Sequence, residues 1–275
     1  MRFDALTKQH SRTRLLIVGW GQGGTAAYFA SLFATMGETP MLGLGTGTAI
    51  TPGQIARGAG DDYLAALNAA VAAWGKPIFI RPLAEMNGYW NAYCAFNQNG
   101  SSRGADYSTE EYRKAFARIY LLVHGGPSVN RRLRELGLPP FQGTLAANAN
   151  AKVVWNPQGY GDPDLPTNSA QSYYPGDAYV DIVGDDIYDI RGKAEWASAD
   201  DLYAAHPGKP FSFPEWGLWG IDDPSFIDAM GAFVHAHPRV ELVSYYSGAP
   251  GSTFDLATKP KSLAEYRQVI SPLGG

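Results

Sequence analysis

Two glutamates follow apolar segments of the chain and could carry out acid–base or nucleophilic chemistry. Glu85 comes just after the segment Pro77–Pro82 (PIFIRP), and Glu215 closes the segment Pro210–Glu215 (PFSFPE). Carboxylates at the carboxyl ends of parallel strands lie at the face where α/β barrels carry their active sites. A pair of carboxyl groups is also what hydrolysis of a glycosidic bond requires. We therefore predict that Glu85 and Glu215 form a catalytic pair. A structural alternative for Glu85 is an ion pair with Arg81.

The elements that must position this pair alternate between strand and helix patterns without a break in composition. Strands are predicted at Leu15–Val18, Pro40–Gly45, Pro77–Pro82, Lys152–Pro157, Tyr179–Tyr188, Pro210–Glu215 and Glu241–Tyr246. Helices are predicted at Thr25–Met36, Asp61–Trp74, Thr109–His124 with Ser108 as its cap, Val129–Leu136, Pro224–Ala236 and Ser262–Ile270. We predict one α/β domain over residues 1–275, a (β/α)8 TIM barrel. Only seven strands are clear, so the first βα unit is expected to be incomplete or irregular, or to lie upstream.

Composition limits the classes of function. The 275 residues suit one barrel domain, which needs about 250. The net charge of −4 and the lack of a basic cluster argue against a nucleic-acid or anionic-membrane partner. The 7 Trp and 16 Tyr exceed what a core requires and suit sugar binding. With one cysteine, Cys94, no intramolecular disulfide is possible. The sequence shows no signal peptide and no apolar segment long enough to span a membrane, and its cellular compartment is not predicted. We expect a monomer.

Three other motifs have weaker functional interpretations. Gly19, Gly21 and Gly24 match the dinucleotide fingerprint, but the next predicted strand does not end in the acidic residue that the fingerprint requires. A glycine-rich barrel loop that holds Trp20 at the mouth of the site is the favoured interpretation. His235–His237 lies at the end of a helix without a third ligand nearby, so we expect no metal site. The acidic cluster Asp185–Asp189 is expected to orient other groups, although it could bind a cation.

At these residues the chain resembles glycoside hydrolase family 26, whose best-known members are β-mannanases. The resemblance starts with RPLAEMNGYW (Arg81–Trp90) and continues in order through Trp155–Pro157, Tyr173–Asp189 and the PEWG segment at Glu215. It implies a retaining (β/α)8 barrel with its acid/base on strand four and its nucleophile on strand seven. Two predicted strands separate the two glutamate strands, as that numbering requires. Counting backwards makes strand one the missing strand.

By this resemblance, Glu85 is the general acid/base and Glu215 is the nucleophile. Tyr188 matches the tyrosine that holds the nucleophile, and Trp90 matches an aromatic platform beside the cleaved bond. The family usually has a histidine immediately before the acid/base, where this chain has Ala84. Further candidates for substrate contact are Trp20, Arg81, Asn87, Trp155, Asn156, Asp186, Trp216 and Tyr246.

The predicted function is a retaining endo-glycosidase that cleaves a β-linked polysaccharide, with β-mannan as the first candidate. The expected partner is therefore a polysaccharide or oligosaccharide substrate, and no metal or organic cofactor is required. The absence of the histidine at Ala84 leaves other substrates open: β-1,3-xylan, mixed-linkage β-glucan or a bacterial polysaccharide. A carbohydrate-binding protein without activity is a further alternative.

Overall fold

A computed structural model describes residues 2–274 and contains one sheet of seven parallel strands. The strands are β1 Thr13–Gly19, β2 Thr39–Gly45, β3 Ile78–Pro82, β4 Ala151–Trp155, β5 Ile182–Ile190, β6 Phe211–Trp219 and β7 Val240–Tyr245. Their order in the sheet follows their order in the chain, so each strand hydrogen-bonds only to its sequence neighbours. All seven predicted strands are present, and the sheet curls into a half-barrel. This confirms the predicted α/β class.

Helices connect the strands and cover the outside of the sheet. They are α1 Arg2–Thr7, α2 Ala26–Phe33, α3 Pro52–Ala56, α4 Asp61–Trp74, α5 Thr109–His124, α6 Val129–Glu135, α7 Trp196–Ala205, α8 Pro224–Ala236 and α9 Pro260–Val269. The predicted cap of α5 is correct, because the Ser108 hydroxyl accepts a hydrogen bond from the Glu111 backbone amide at 3.2 Å. Within residues 2–274 no helix is both long and apolar enough to cross a bilayer.

The amino-terminal segment before β1 forms helix α1. Phe3 packs this helix against β7 and α9, with ring centroids 5.8 Å from Tyr245 and 5.7 Å from Tyr266. Within the described residues, the first βα unit therefore has a helix but no strand, so it is incomplete, which was one of the alternatives predicted.

The core explains why the inner strands hold their places. Side chains of β2 to β6 are buried along nearly the whole of each strand, as expected for parallel strands covered on both faces. Strands β1 and β7 are only partly buried, and no hydrogen-bonded ladder joins them in residues 2–274. We call this opening the β1/β7 seam.

Candidate active site

Glu215 lies inside β6, at a place where the ladder is irregular. The pairing of β6 with β7 shifts between Phe213 and Trp216, and Glu215 lies opposite Asp186 of β5. The sequence predicted that this strand ends at Glu215, but β6 continues to Trp219. The Glu215 backbone amide donates to Asp186 Oδ1 at 3.0 Å, which fixes the position of the backbone. A bulge of this kind re-aims one side chain without ending the strand.

Two donors hold the Glu215 carboxylate. Arg81 Nη1 donates to Oε1, and the Tyr188 hydroxyl donates to Oε2 at 2.9 Å. Burial and the nearby Glu215 carboxylate raise the pKa of Tyr188 above its ordinary value, so its phenol stays neutral and can donate. Each oxygen of Glu215 therefore has its own donor, and the carboxylate is held in one orientation.

Arg81 is 2% exposed and lies between two carboxylates. It donates through Nη2 to Asp186 Oδ2 in addition to its bond with Glu215. Burial alone lowers the pKa of Arg81, but the Asp186 and Glu215 carboxylates outweigh burial and raise it above its ordinary value. Arg81 is thus a permanent cation beside Glu215. The structural alternative of an Arg81–Glu85 ion pair is wrong, although Arg81 does feel the charge of Glu85.

Glu85 has neutral donors instead of a cation. Trp90 Nε1 donates to Glu85 Oε2 at 2.6 Å, and Gln158 Nε2 donates to Oε1. Trp90 is 46% exposed, so it contacts Glu85 while much of its surface stays open to solvent. Arg81 feels the charges of both glutamates, so the two side chains belong to one electrostatic site.

The backbone that presents Glu85 has an unusual conformation. Leu83 has φ +51° and Glu85 has φ +52°, values that residues other than glycine rarely adopt. Two buried tyrosines hold this turn: Tyr112 donates to the Leu83 carbonyl at 3.0 Å, and Tyr93 donates to the Ala84 carbonyl at 2.6 Å. Strain of this kind persists only where the surroundings fix it, and it concentrates at functional sites.

Asn156 connects the two glutamates. Its backbone carbonyl accepts from the Glu85 amide at 2.6 Å, and its Oδ1 accepts from Arg81 Nε at 2.8 Å. Its Nδ2 donates to the Pro157 carbonyl at 3.0 Å. One residue after β4 therefore binds both the backbone of the predicted acid/base and the cation that holds the predicted nucleophile.

Several residues that the sequence suggested for substrate contact are buried, so those predictions are corrected. Trp155 and Trp216 have no exposed surface and pack in the core against aromatic side chains outside the sheet. Asn87 uses Nδ2 for the Gln158 and Tyr160 carbonyls and Oδ1 for the Gln158 amide, so it shapes a loop. The side chains of Asn156, Arg81 and Asp186 likewise bond within the protein and support the glutamates.

The aromatic side chains left exposed around the site are partly those predicted. Trp90 and Tyr246 are exposed, and Trp20 is half-buried against Tyr63, with ring centroids 5.2 Å apart. Trp219 is 49% exposed, and its ring centroid lies 5.9 Å from that of Tyr188. The sequence did not indicate Trp219 because the strand was predicted to end four residues earlier, at Glu215.

The loop after β4 also contributes residues that sequence reasoning missed. Gln158 donates a hydrogen bond to Glu85. Partial burial raises the pKa of Tyr160, and the nearby charge of Glu85 raises it further. The buried Asp185 accepts from the Gly159 amide at 2.9 Å, and burial raises its pKa to about 8. No periodic pattern marks this loop, so only its position after a strand could have indicated it.

No group of three or more metal-ligating side chains occurs in residues 2–274. The paired histidines bond to their own helix, because Nδ1 of His235 donates to the Gly231 carbonyl at 2.7 Å and that of His237 to the Phe233 carbonyl at 2.8 Å. In the glycine-rich loop, Gly19 bonds within the protein to Gln22 and Tyr63.

Comparison with known proteins agrees with the resemblance seen in the sequence. Residues 154–237 match the family profile described as Glycosyl hydrolase family 26. Over 150 residues, 52% of this chain, the sequence is 29% identical to mannan endo-1,4-beta-mannosidase of Bacillus subtilis strain 168. Over 229 residues, 78% of this chain, it is 23% identical to Endoglucanase H of Acetivibrio thermocellus. The matches cover only 31% and 22% of those two proteins.

A solved structure shares the fold. The structure of a Bacillus subtilis mannanase superposes with a TM-score of 0.60 at 20% identity. The match covers 98% of this chain and 79% of the mannanase, whose fold is a (β/α)8 barrel. The folded unit described by residues 2–274 is therefore a version of that barrel.

Proposed function

We propose that this chain, whose residues 154–237 match the Glycosyl hydrolase family 26 profile, is a retaining endo-glycosidase that cleaves β-mannan or a closely related β-linked polysaccharide. The catalytic pair is Glu85 as the general acid/base and Glu215 as the nucleophile. The observation that carries this proposal is the different environment of the two glutamates. Glu215 bonds to a buried cation and a phenol, whereas Glu85 bonds to an indole and an amide.

This difference supports the proposed roles of the two glutamates. A buried guanidinium stabilises negative charge on Glu215, which suits a group that must attack as a carboxylate. Glu85 contacts no cation among the described residues, so it can carry a proton in one step and lose it in the next. A carboxyl group that alternates between acid and base needs that freedom.

The reaction proceeds in two displacements. Glu215 attacks the anomeric carbon while protonated Glu85 gives its proton to the leaving glycosidic oxygen, so the glycosidic bond breaks and a glycosyl ester forms on Glu215. Glu85, now a carboxylate, takes a proton from water, and the hydroxide oxygen replaces Glu215 at the anomeric carbon. This scheme requires the two carboxyl groups about 5–5.5 Å apart.

The exposed aromatic side chains support a substrate longer than one sugar. Trp90 lies beside Glu85, while Trp219 and Tyr246 lie beside Tyr188, the residue that holds Glu215. Aromatic rings therefore flank both glutamates and can stack on sugar rings on either side of the cleaved bond. Such a placement favours internal cleavage of a chain.

The direct test is hydrolysis of a glycan panel with analysis of the products. We expect β-1,4-mannan to be cut into oligosaccharides whose new reducing ends keep the β-configuration in proton NMR spectra taken within the first minutes. New reducing ends in the α-configuration would exclude the retaining scheme.

Two variants test the assigned roles. Glu85→Ala should keep glycosylation by an aryl glycoside with a good leaving group, which needs no acid, and should accumulate the covalent intermediate. Glu215→Ala should form no covalent intermediate with the aryl glycoside or with mannan. Full activity of Glu215→Ala on every cleavable glycan would overturn the nucleophile assignment.

A second candidate is the same chemistry on another glycan. Ala84 removes a polar group next to Glu85, and one of the relatives is an endoglucanase, so mixed-linkage β-glucan and β-1,3-xylan belong in the panel. If no glycan is cleaved, a mechanism-based glycosidase inactivator distinguishes a binding protein from an enzyme with an untested substrate, because only an active pair would label Glu215.

A further inference from the structure

Gln158 is the buried one of the two side chains that donate to the Glu85 carboxyl group. Its Nε2 donates to Glu85 Oε1, and Trp90 donates to Oε2. Gln158 is 5% exposed, whereas Trp90 is 46% exposed. Trp90 can therefore stack on a sugar and bond to Glu85 at the same time, while the Gln158 amide acts on the reaction through Glu85.

Hydrogen bonds fix the backbone from which the Gln158 side chain leaves. The Gln158 backbone amide donates to Asn87 Oδ1 at 2.9 Å, and the Gln158 carbonyl accepts from Asn87 Nδ2 at 2.8 Å. The next backbone amide, that of Gly159, donates to Asp185 Oδ1 at 2.9 Å. Asn87 is fully buried and Asp185 is 2% exposed, so these bonds lie in an environment of low dielectric constant that strengthens them.

Close packing at Gly159 holds the same loop against helix α7. A Cβ atom at Gly159 would lie 2.8 Å from Ser198 Cβ, closer than two carbon atoms of this kind approach in proteins. The loop therefore has no room to shift toward α7. Because Asn87, Asp185 and Ser198 restrain the loop from different elements, the Gln158 amide approaches Glu85 in one fixed direction.

The Gln158 amide and the Trp90 indole both present N–H groups to Glu85. An N–H group cannot accept a proton, so the proton of the acid form of Glu85 lies on a lone pair that faces neither donor and is free for the substrate. A hydrogen bond to a charged carboxylate is roughly twice as strong as one between neutral groups. The bond from Gln158 therefore strengthens as Glu85 loses its proton.

This change in strength matters in the first displacement. In that step the O–H bond of Glu85 breaks and its proton goes to the glycosidic oxygen, which also receives the electron pair of the broken glycosidic bond. Negative charge therefore grows on Glu85 in the transition state. Only interactions that are stronger in the transition state than in the ground state accelerate a step, and the bond from Gln158 is one of them. A leaving group that departs without a proton gains nothing from this bond.

We propose that Gln158 is a positioning residue that makes Glu85 a better proton donor and so determines how poor a leaving group this protein can expel. The inference rests on the proposed function, in which Glu85 is the acid/base. Sugar hydroxyls, the leaving groups of a polysaccharide, need the proton and therefore need Gln158, whereas activated phenols need neither. In the second displacement Glu85 takes up a proton, so loss of the bond should not slow that step.

The test compares phenyl β-mannobioside, whose leaving group needs a proton, with 2,4-dinitrophenyl β-mannobioside, whose leaving group does not. Gln158→Leu should lower kcat/KM about 10- to 100-fold on the phenyl substrate and less than about twofold on the dinitrophenyl substrate. Gln158→Glu keeps the shape of the side chain, replaces its N–H donor with an oxygen, and should show the same selective loss. The matched control is Gln98→Leu, because the exposed Gln98 amide donates to the Tyr89 hydroxyl at 3.1 Å; it should change neither rate.

Two results would overturn the role of Gln158 alone. One is an equal loss of kcat/KM on both mannobiosides in both Gln158 variants, because a residue that only supports the fold of the site would slow both reactions. The other is an unchanged kcat/KM on the phenyl substrate. If instead Glu85→Ala keeps full activity on the phenyl substrate, the proposed function of Glu85 is wrong and this inference fails with it.

Discussion

Removing the Tyr188 hydroxyl separates the support of the proposed nucleophile from every other part of the site. Tyr188→Phe keeps the ring and its packing against Trp219, Tyr246 and Phe254 but deletes the 2.9 Å hydrogen bond to Glu215 Oε2. Hydrogen bonds to charged groups contribute about 1.5–3 kcal/mol. If the bond orients Glu215 for attack, kcat/KM should fall about 10- to 150-fold.

The loss should appear in the glycosylation step and should not depend on pH. Burial and Glu215 keep the pKa of Tyr188 above its ordinary value, so the phenol is neutral throughout the range in which the enzyme can be assayed. An aryl mannoside with a good leaving group measures glycosylation without help from Glu85, and Tyr188→Phe should be impaired on it as strongly as on mannan.

The matched control is Tyr246→Phe. Tyr246 lies beside Tyr188, is 41% exposed, and its hydroxyl has no hydrogen-bond partner in residues 2–274. It should change kcat/KM by less than about threefold, within the ±0.5 kcal/mol typical of surface changes. If Tyr188→Phe stays within twofold of wild type while its Tm is unchanged, the idea that Tyr188 holds the nucleophile is refuted.

Three more predictions follow from the site. Trp90→Phe deletes the 2.6 Å bond to Glu85 and should lower kcat about tenfold, whereas Trp219→Phe should change KM alone; equal effects on kcat would contradict the Glu85 assignment. Arg81→Met leaves Asp186 as an uncompensated buried charge and should cost about 3–5 kcal/mol in urea denaturation; a cost below 1 kcal/mol would show that Arg81 is not needed there. Burial raises the pKa of Asp185 from its ordinary value of 3.8 to about 8. Between these two pH values the folded protein keeps the Asp185 proton while the unfolded chain loses it, so the folded state becomes less stable as the pH rises. Wild type should therefore lose up to about 1.4 kcal/mol of unfolding free energy per pH unit between roughly pH 5 and 8. Asp185→Asn should lose less over that range, and parallel stability–pH curves for the two proteins would exclude this role of Asp185.

The sequence was sufficient for the parts of the fold that depend on local patterns. The apolar runs found all seven strands, and α4, α5 and α8 have the predicted bounds because glycine, serine and proline mark their ends. It also singled out Glu85 and Glu215, which lie in one electrostatic site in the structure, while their catalytic roles stay a prediction.

The sequence did not predict which way side chains point from a strand, or which residues far apart in the chain come into contact. Trp155 and Trp216 were assigned to the cleft because tryptophan suits sugars, but the residue type does not say which face of a strand it occupies. For Trp216, the face also depends on an irregular pairing of β6 with β7 that leaves no sequence signal. The pairing of Arg81 with Glu215 joins residues 134 positions apart. Gln158 was missed because its loop has no periodicity.

Asn156 has a consequence for how well the site tolerates motion. The Glu85 backbone and the Arg81 side chain, which carries Glu215, are both anchored on this one residue. A small displacement of β4 would therefore move both carboxyl groups in the same direction and by a similar amount. Because both side chains depend on Asn156, the distance between the two carboxyl groups should vary less than the position of either group. The proposed retaining hydrolysis would depend on that gap, which in this barrel rests on the buried side chain and backbone of Asn156.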